Sequence, residues 1–189
     1  MMPNNEIKII ENFANFEEQE SLKLLIKDDD SHGFDVSSVD KHVIDQYRTE
    51  FTIDYPQFVK VIFQTSDNLI IDNKFFPLVY YLLHKNKLSN KFIYRIKMNT
   101  TFPYPNAIKE NHGPIHDDIH FSKSECFSII YYVNENDGDT LFFNDNLQLI
   151  KKVKPKQGRA VIFDSKLKHA ASCPINYPYR QIINFVIFK

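Results

Sequence analysis

The chain has 189 residues, a formal net charge of −1, 43% hydrophobic residues and 14% aromatic residues. This length and apolar content are typical of one domain with a sizeable core, and the balanced charge disfavours general attraction to nucleic acids or anionic membranes. No stretch approaches the roughly 18 apolar residues of a membrane span, and residues 1–6 lack the pattern of a secretory signal. Two cysteines without such a signal indicate reduced thiols. We therefore expect a soluble, cytoplasmic protein.

The first 90 residues carry mostly helical patterns. Residues 16–27 and 75–87 have the apolar spacing of amphipathic helices, and Pro77 is tolerated in the first turn of the second one. A further helix is predicted within residues 42–65, with a break near Pro56. Residues 7–10 (IKII) predict a short strand instead.

After residue 90, short apolar stretches alternate with turn residues, as in strands joined by turns. The predicted strands span residues 92–99, 115–119, 126–134, 140–143, 147–153, 160–164 and 180–188. Helices followed by about seven strands indicate an α+β fold, in which a sheet pair or barrel is backed by N-terminal helices. We expect a single domain over residues 1–189, with helical support in about 1–90 and the β core in about 91–189.

His116, Asp118 and His169 are the residues most typical of a metal site in this chain. Residues i and i+2 on a strand point to the same face, so His116 and Asp118 are expected to point inward together while Asp117 points away. His169 follows the predicted strand 160–164 after a short turn and adds a second imidazole. Two histidines and one carboxylate are the facial triad that holds non-heme Fe(II) and leaves coordination positions open.

Two different interpretations use the same histidines. His112, His116 and His120 are spaced by four and on a helix would form a zinc-binding face, but Gly113-Pro114 inside that window argues against a helix. Any single histidine is more often an ordinary surface or core residue than a ligand. The joint placement of two histidines with a nearby carboxylate and a downstream arginine argues against that second interpretation.

The β half of the chain, from about residue 92 to 188, resembles the Fe(II)- and 2-oxoglutarate-dependent dioxygenases, in particular their prolyl 4-hydroxylase-like branch. The motifs that carry the resemblance are His116-x-Asp118, residues 129–134 (IIYYVN), 138–143 (GDTLFF) and 154–163 (KPKQGRAVIF), then His169, and Arg180 leading into 182–185 (IINF). The resemblance implies a double-stranded β-helix (jelly-roll or cupin-like) with N-terminal supporting helices. It also implies that His116, Asp118 and His169 bind Fe(II).

The resemblance further implies that Arg180 anchors the distal carboxylate of 2-oxoglutarate, for which a guanidinium is a bidentate partner; the alternative is a surface arginine at a strand start. On the predicted strand 126–134, the more polar face with Ser128 and Tyr132 is expected to point into the barrel lumen. Tyr132 matches a tyrosine that supports 2-oxoglutarate in prolyl-hydroxylase-like relatives, with plain core packing as the alternative. Asn99 is predicted to meet the cosubstrate or the substrate.

The implied reaction is hydroxylation of an unactivated C–H bond, in which 2-oxoglutarate and O2 are consumed, succinate and CO2 are released, and ascorbate serves as a reductant. Asp118 favours hydroxylation, since halogenating relatives replace this carboxylate with a small residue.

The expected partner is a peptide or small-molecule substrate: the resemblance favours peptidyl proline, while a free amino acid or small metabolite stays an alternative. Loops 100–111 and 164–168 are predicted to determine which of these substrates binds.

Two functions of a different kind also fit these motifs. One is a catalytically silent β-helix that binds a metal or a ligand, against which the complete triad and Arg180 argue. The second is an oxygenase that acts on nucleic acid, which the balanced charge disfavours.

Overall fold

Ten β-strands form two antiparallel sheets in the computed structural model, which describes residues 6–29, 47–65, 69–89, 92–119 and 125–189. In chain order these strands are β1 (Lys8–Ile10), β2 (Gln57–Gln64), β3 (Ile70–Ile71), β4 (Ile93–Thr101), β5 (Cys126–Tyr132), β6 (Thr140–Phe143), β7 (Leu149–Val153), β8 (Ala160–Asp164), β9 (His169–Ala171) and β10 (Arg180–Phe188). The larger sheet has the order β1-β8-β5-β10-β4-β2-β3, and the smaller sheet has the order β7-β6-β9.

Two helices of the described residues, α1 (Phe16–Lys27) and α2 (Phe76–Lys85), cover one face of the larger sheet. α1 begins with a capping box, in which the Glu18 N–H donates to Asn15 Oδ1 (2.9 Å) and the Asn15 N–H donates to the Glu18 carboxylate (2.6 Å). The core that the helices share with the sheet includes Leu22, Val79, Leu82, Ile96, Ile129 and Phe185. Both predicted helices are confirmed, the second one in a shorter form. Neither helix is long and apolar enough to cross a membrane.

The other face of the larger sheet packs against the smaller sheet. The buried residues of this second cluster include Tyr132, Val161, Phe163 and Ile182 from the larger sheet and Phe142 and Val153 from the smaller one. On β5, Ile129 and Tyr131 belong to the helix-side core, whereas Ile130 and Tyr132 belong to the cluster between the sheets. The alternation of side chains along β5 therefore confirms the predicted lumen face.

The helix predicted within residues 42–65 is wrong where the structure describes it. Residues 47–56 contain no helix, and Gln57–Gln64 is strand β2, which pairs along its length with β4; residues 42–46 lie outside the described residues. The segment QFVKVIFQ is rich in β-branched and aromatic residues, which favour a strand. The neighbouring strand β4 decides the conformation of this segment. Its backbone supplies the hydrogen bonds that an isolated apolar segment would otherwise form within a helix of its own.

Most strand predictions after residue 90 are confirmed, since β6, β8 and β10 have the predicted bounds and β4, β5 and β7 differ by a few residues. The short strand near residues 7–10 is confirmed as β1, which pairs with β8. The strand predicted at 115–119 is wrong: His116 forms a single bridge to His169, and the residues around it are irregular. Strands β3 and β9 were not predicted, because two- and three-residue strands carry too few side chains for a readable alternation.

A buried ion cluster ties β2 to the segments that flank the helices. Lys60 Nζ lies 3.0 Å from Asp29 Oδ2 and 2.9 Å from Asp72 Oδ2. Burial acts to raise the pKa of the Asp72 carboxyl, but its bonds to Lys60 and to backbone N–H groups outweigh this and lower it; burial acts to lower the pKa of Lys60, but Asp72 and Asp29 raise it. The stabilisation from Asp72 is therefore lost as the pH falls through its lowered folded-state pKa, and that from Lys60 is lost only above the usual lysine pKa.

We expect Lys60→Met to lower the free energy of unfolding at neutral pH by about 3 kcal/mol, because two largely buried carboxylates lose their cation. The deficit should shrink near pH 4, because the buried carboxylates of the variant, left without their cation, take up protons there, while the stability of the wild type begins to fall as the pH approaches the lowered pKa of Asp72. Urea unfolding at both pH values measures this. Lys23→Met is the control, since Lys23 pairs with Glu20 at the surface, with both side chains 43% exposed, and should cost less than about 0.5 kcal/mol. A deficit of the same size at both pH values would contradict the assignment.

Candidate metal and cosubstrate site

His116, Asp118 and His169 meet at one point of the structure, where their potential ligand atoms all lie within 4.8 Å of one another. His169 begins β9, and it exchanges two backbone hydrogen bonds with His116, of 3.0 and 2.8 Å. Two residues on, the Asp118 N–H donates to the carbonyl of Ser165 (2.9 Å). The segment of His116 and Asp118 is thus held by the backbone around β9 rather than by a continuous strand.

Both imidazole rings are oriented by backbone carbonyl groups. His116 Nδ1 lies 3.0 Å from the carbonyl oxygen of Pro114, and His169 Nδ1 lies 3.0 Å from that of Leu167. A carbonyl oxygen only accepts hydrogen bonds, so Nδ1 carries the proton in each neutral ring and Nε2 keeps its lone pair. The ring centroids are 4.5 Å apart. The two histidines therefore offer Nε2 to a shared metal ion, with the second hydrogen bond that metal-binding histidines usually make.

Asp118 is buried, and its carboxylate is surrounded by polar groups. The donors are Ser128 Oγ to Oδ2 (2.5 Å), Asn184 Nδ2 to Oδ1 (3.0 Å) and Arg95 Nη2 to Oδ1 (3.4 Å). Burial acts to raise the pKa of the Asp118 carboxyl, but its electrostatic interactions with the nearby His169 ring and the Arg95 guanidinium, together with the hydrogen bond from Ser128, outweigh burial and hold that pKa below its usual value. The carboxyl is therefore ionised at neutral pH, as a metal ligand must be.

One cavity beside the triad is lined by both sheets. Its walls include His116, His169, Asn99, Thr140, Arg180 and Asn184. Asn99, predicted from the sequence to meet the cosubstrate or substrate, thus reaches the same cavity as the two histidines. Its buried Oδ1 has no hydrogen-bond partner within the described part of the chain. The cavity brings together metal ligands, a cation and carboxamide groups that lie far apart in the sequence.

Arg180 is a buried cation whose hydrogen-bond partners are neutral. Its Nε donates to the carbonyl of Gly138 (2.9 Å), and its Nη2 donates to Thr140 Oγ1 (3.1 Å). No carboxylate of the described residues forms an ion pair with it, although only 2% of the residue is exposed. Burial lowers the pKa of the guanidinium. Since a buried charge is costly unless it is paired, the donors of Arg180 suit an anion in the cavity, such as the distal carboxylate of 2-oxoglutarate. The alternative of a surface arginine is wrong.

Tyr132 lies behind this cation rather than in the cavity wall. Its side chain is fully buried, its hydroxyl is 2.7 Å from Thr140 Oγ1, and its ring centroid is 5.9 Å from the Arg180 guanidinium carbon. Burial raises the pKa of the Tyr132 phenol to about 12, so it is neutral. In this structure Tyr132 reaches the cavity through Thr140, a cavity-lining residue that was not predicted from the sequence. Direct contact of Tyr132 with a cosubstrate stays a prediction.

Tyr55 is a second cavity residue that the sequence did not reveal. Its hydroxyl donates to the carbonyl of Ala171 (2.9 Å), next to the β9 segment of His169. Gly113 packs beneath the ring, since a Cβ atom there would lie 3.0 Å from Tyr55 Oη. Tyr55 belongs to the segment for which a helix was predicted, and no local pattern relates it to a site more than 100 residues away. The pairing of β2 with β4 and the backbone hydrogen bonds of Phe51 and Ile53 with His112 bring it there.

His112 does not join the metal site. Its Nε2 lies 3.1 Å from Thr49 Oγ1 and its Nδ1 lies 2.7 Å from the carbonyl of Gly113, while burial lowers its pKa. The chain from His112 to His116 is irregular rather than helical. The helical zinc interpretation is therefore wrong for these residues, and His120 lies outside the described residues.

Gly138 controls the space around the Arg180 side chain. A Cβ atom at Gly138 would lie 2.7 Å from Arg180 Cδ and 2.7 Å from the carbonyl oxygen of Ser172. We expect Gly138→Ala to displace the guanidinium and raise the KM for 2-oxoglutarate about tenfold, because a charge-assisted hydrogen bond contributes about 1.5–3 kcal/mol. Gly158→Ala is the control: Gly158 has a φ of +83° and lies next to Gln19 of α1, so the change should lower the unfolding temperature without this rise in KM. Equal KM values for both variants would contradict the role of Gly138.

Comparisons with known proteins gave one family match and several similar folds. Residues 104–187 match the family model described as the 2OG-Fe(II) oxygenase superfamily. No curated protein matches the sequence. The similar solved structures include a prolyl hydroxylase from Trichoplax adhaerens in complex with a hypoxia inducible factor oxygen degradation domain peptide fragment, with 17% identity, a TM-score of 0.62 and coverage of 97% of this chain and 84% of that chain.

Two further structures extend this likeness. A Pseudomonas putida prolyl-4-hydroxylase has 13% identity and a TM-score of 0.58 over 97% of this chain and 92% of that chain. An oxidoreductase of the 2OG-Fe(II) oxygenase family from Burkholderia pseudomallei has 10% identity and a TM-score of 0.67 over 96% of this chain and 84% of that chain. At such low sequence identities, the similarity to these structures shows a shared fold only. The predicted double-stranded β-helix with N-terminal helices is confirmed.

Proposed function

We propose, from the membership of residues 104–187 in the 2OG-Fe(II) oxygenase superfamily, that this 2-oxoglutarate-dependent non-heme iron dioxygenase hydroxylates a C–H bond of a peptide or small molecule. The resemblance inferred from the sequence is confirmed, and the superfamily requires Fe(II), 2-oxoglutarate and O2. The observation that carries the proposal is the buried Arg180 guanidinium in the same cavity as His116 and His169. A ligand that chelates a metal at one end and carries a carboxylate at the other suits both features.

The roles of the individual residues follow from this arrangement. We assign Fe(II) binding to His116 Nε2, His169 Nε2 and the Asp118 carboxylate. We assign the distal carboxylate of 2-oxoglutarate to Arg180, with Thr140 beside it and Tyr132 supporting Thr140 through its hydroxyl. Asn99 is proposed as a further contact in the cavity. We also propose that residues 1–189 form one oxygenase domain, because β1, β2 and β3 are strands of the same larger sheet as the site-bearing β4, β5 and β10.

The protein contributes binding, orientation and exclusion of water to the reaction. When bound, Fe(II) and 2-oxoglutarate would supply the oxidising chemistry with O2, in which one oxygen atom of O2 enters succinate as 2-oxoglutarate loses CO2 and the other becomes the hydroxyl group of the substrate. His116, Asp118 and His169 would hold the metal with three ligands, a number that leaves coordination positions for other ligands. Arg180 holds the cosubstrate by its far end, which fixes its direction in the cavity. Ile130 and Ile182 form an apolar part of the cavity wall and exclude bulk water.

We propose a prolyl residue of a peptide as the substrate. Two of the similar structures are prolyl hydroxylases, and one of these is bound to a peptide fragment. In this chain Phe102 and Tyr104 follow β4 with 39% and 40% of their area exposed, and Phe102 packs edge-on against Phe58. Exposed aromatic rings of this kind suit the compact apolar ring of proline. The bound substrate would then approach from residues 102–111, which lie within the loop 100–111 that was predicted from the sequence, together with 164–168, to determine the substrate.

Succinate release tests the function. The purified chain is incubated with Fe(II), 2-oxoglutarate and ascorbate, with and without a library of proline-containing peptides, and with a matched library in which alanine replaces proline. We expect succinate above the level without enzyme, a further rise with a proline peptide, and a mass increase of one oxygen atom in that peptide. Stimulation by free amino acids alone would contradict the peptide assignment. A chain that binds iron but never releases succinate would be the catalytically silent module.

A further inference from the structure

Asn184 reaches into the cavity from β10 and contacts the Asp118 carboxylate. Its Nδ2 lies 3.0 Å from Oδ1 and 3.3 Å from Oδ2 of Asp118. A carboxylate only accepts hydrogen bonds, so the amide nitrogen must face Asp118, and this determines the orientation of the carboxamide. We infer, on the basis of the proposed function, that Asn184 is a positioning residue that holds the Asp118 carboxylate in the orientation required for metal binding.

Asn184 differs from the other donors to Asp118 because it contacts both carboxylate oxygens. Ser128 donates to Oδ2 and Arg95 to Oδ1, each to one oxygen. A single contact leaves the carboxylate free to rotate about its Cβ–Cγ bond. A donor shared between the two oxygens restrains this rotation and so determines which lone pairs face the histidines. Asn184 therefore restrains the direction of the carboxylate through both of its oxygens, whereas Arg95 balances its charge and Ser128 donates to one oxygen.

The Asn184 oxygen indicates that the residue is not there to stabilise the fold. Asn184 is 7% exposed, and its buried Oδ1 has no hydrogen-bond partner among the residues that the structure describes. A buried acceptor without a donor costs folding free energy, and an apolar residue of similar shape would avoid that cost. Folding alone gives no reason for a carboxamide at this position. The contact of Nδ2 with a metal-binding carboxylate does give one.

The position of Asn184 in the sheet makes it a rigid support. β10 lies between β5 and β4, and Asn184 is opposite Ile130 on one side and Lys97 on the other. Both neighbours are paired along most of the strand, so the backbone of Asn184 has little freedom to move. Groups that orient metal ligands act best when they project from such elements.

The experiment compares two variants that make the same chemical change on the same strand. Asn184→Leu replaces a buried carboxamide that touches Asp118. Gln181→Leu replaces a buried carboxamide that instead donates to Thr100 Oγ1 (2.9 Å) on the opposite face of β10. The dissociation constant for Mn(II) is measured for the full chain without 2-oxoglutarate, by electron paramagnetic resonance of free Mn(II). We expect Asn184→Leu to weaken Mn(II) binding about tenfold or more, as removal of groups that orient metal ligands usually does, and Gln181→Leu to leave it within about twofold.

A second measurement separates positioning from a general loss of structure. Under anaerobic conditions the absorption band of the chain with Fe(II) and 2-oxoglutarate reports the ligand arrangement at the metal. We expect the band to shift in Asn184→Leu and to keep its wavelength in Gln181→Leu. In steady-state assays Asn184→Leu should lower kcat while the KM for 2-oxoglutarate changes by less than about twofold, because Arg180 is intact.

Three outcomes would overturn the inference. If the wild-type chain binds Mn(II) and Asn184→Leu binds it equally well with an unshifted band, Asn184 does not position Asp118, while the proposed function stands. If Gln181→Leu weakens Mn(II) binding as much as Asn184→Leu, the effect comes from the packing of β10. If the wild-type chain binds neither Mn(II) nor Fe(II), the inference and the proposed function both fail.

Discussion

Replacement of Asp118 by alanine is expected to abolish hydroxylation and to weaken Fe(II) or Mn(II) binding by more than about 100-fold, since loss of a direct ligand exceeds the 10- to 100-fold effect of losing a group that orients one. The physical reason is that histidine binds a metal through an uncharged nitrogen, so the site would lose its only anionic ligand among the described residues. Metal titration of the purified variant measures the affinity, and succinate release measures turnover.

The adjacent carboxylate provides the control for this prediction. Asp117→Ala removes the same group one residue earlier, where it lies outside the triad, and we expect its metal affinity to stay within about threefold of the wild type. Circular dichroism should show that both variants are folded. Wild-type turnover in Asp118→Ala, or an equal loss of metal in Asp117→Ala, would mean that the ligand assignment is incorrect.

Replacement of Arg180 by methionine is expected to raise the KM for 2-oxoglutarate about 10- to 150-fold. This range corresponds to the loss of a charged hydrogen-bond interaction of about 1.5–3 kcal/mol. Methionine fills a similar volume, so the packing around Thr140 is kept. The unfolding temperature of the ligand-free protein should not fall, because the change removes a buried cation that has no carboxylate partner among the described residues. Initial rates at varied 2-oxoglutarate and a thermal melt measure the two effects.

Two comparisons make the Arg180 prediction specific. Arg180→Lys keeps the charge but cannot form the paired contacts of a guanidinium, so its KM should lie between those of the wild type and Arg180→Met. Mn(II) affinity without 2-oxoglutarate should be unchanged in both variants, since Arg180 does not touch the triad. An unchanged KM in Arg180→Met would assign the cosubstrate carboxylate to another residue.

The β half of the fold was largely predictable because its strands are amphipathic or evenly apolar and are bounded by turn residues. Residues 140–143, 160–164 and 180–188 are strands with the predicted bounds. The N-terminal part was harder to predict. Helix 16–27 has a local signature, the Asn15–Glu18 capping box, but β2 is a strand only because β4 lies beside it. Local patterns report local hydrogen bonding, whereas the partner of a strand can come from anywhere in the chain.

The site shows the same division between local and distant information. His116 and Asp118 were predicted as a pair on one strand, and they do meet at the site, although a single backbone bridge to His169 replaces the strand. The rule that residues i and i+2 on a strand point to the same face therefore predicted the right pair of residues, although the segment that carries them is not a strand. Tyr55, Thr140 and Asn184 were not predicted at all, because a tyrosine, a threonine and an asparagine carry no spacing that marks them as cavity residues.

The sequence by itself determined which chemical groups are present and in what order. Two histidines, a carboxylate and an arginine resemble a known oxygenase motif, and residues 104–187 match the model of that superfamily. Only the tertiary structure decided how these groups are oriented. It directs both Nδ1 atoms at carbonyl oxygens, leaves the buried Arg180 without a carboxylate among the described residues, and turns the Asn184 amide toward Asp118. These features depend on which strands become neighbours, and strand neighbours are chosen by packing and hydrogen bonding across the whole sheet.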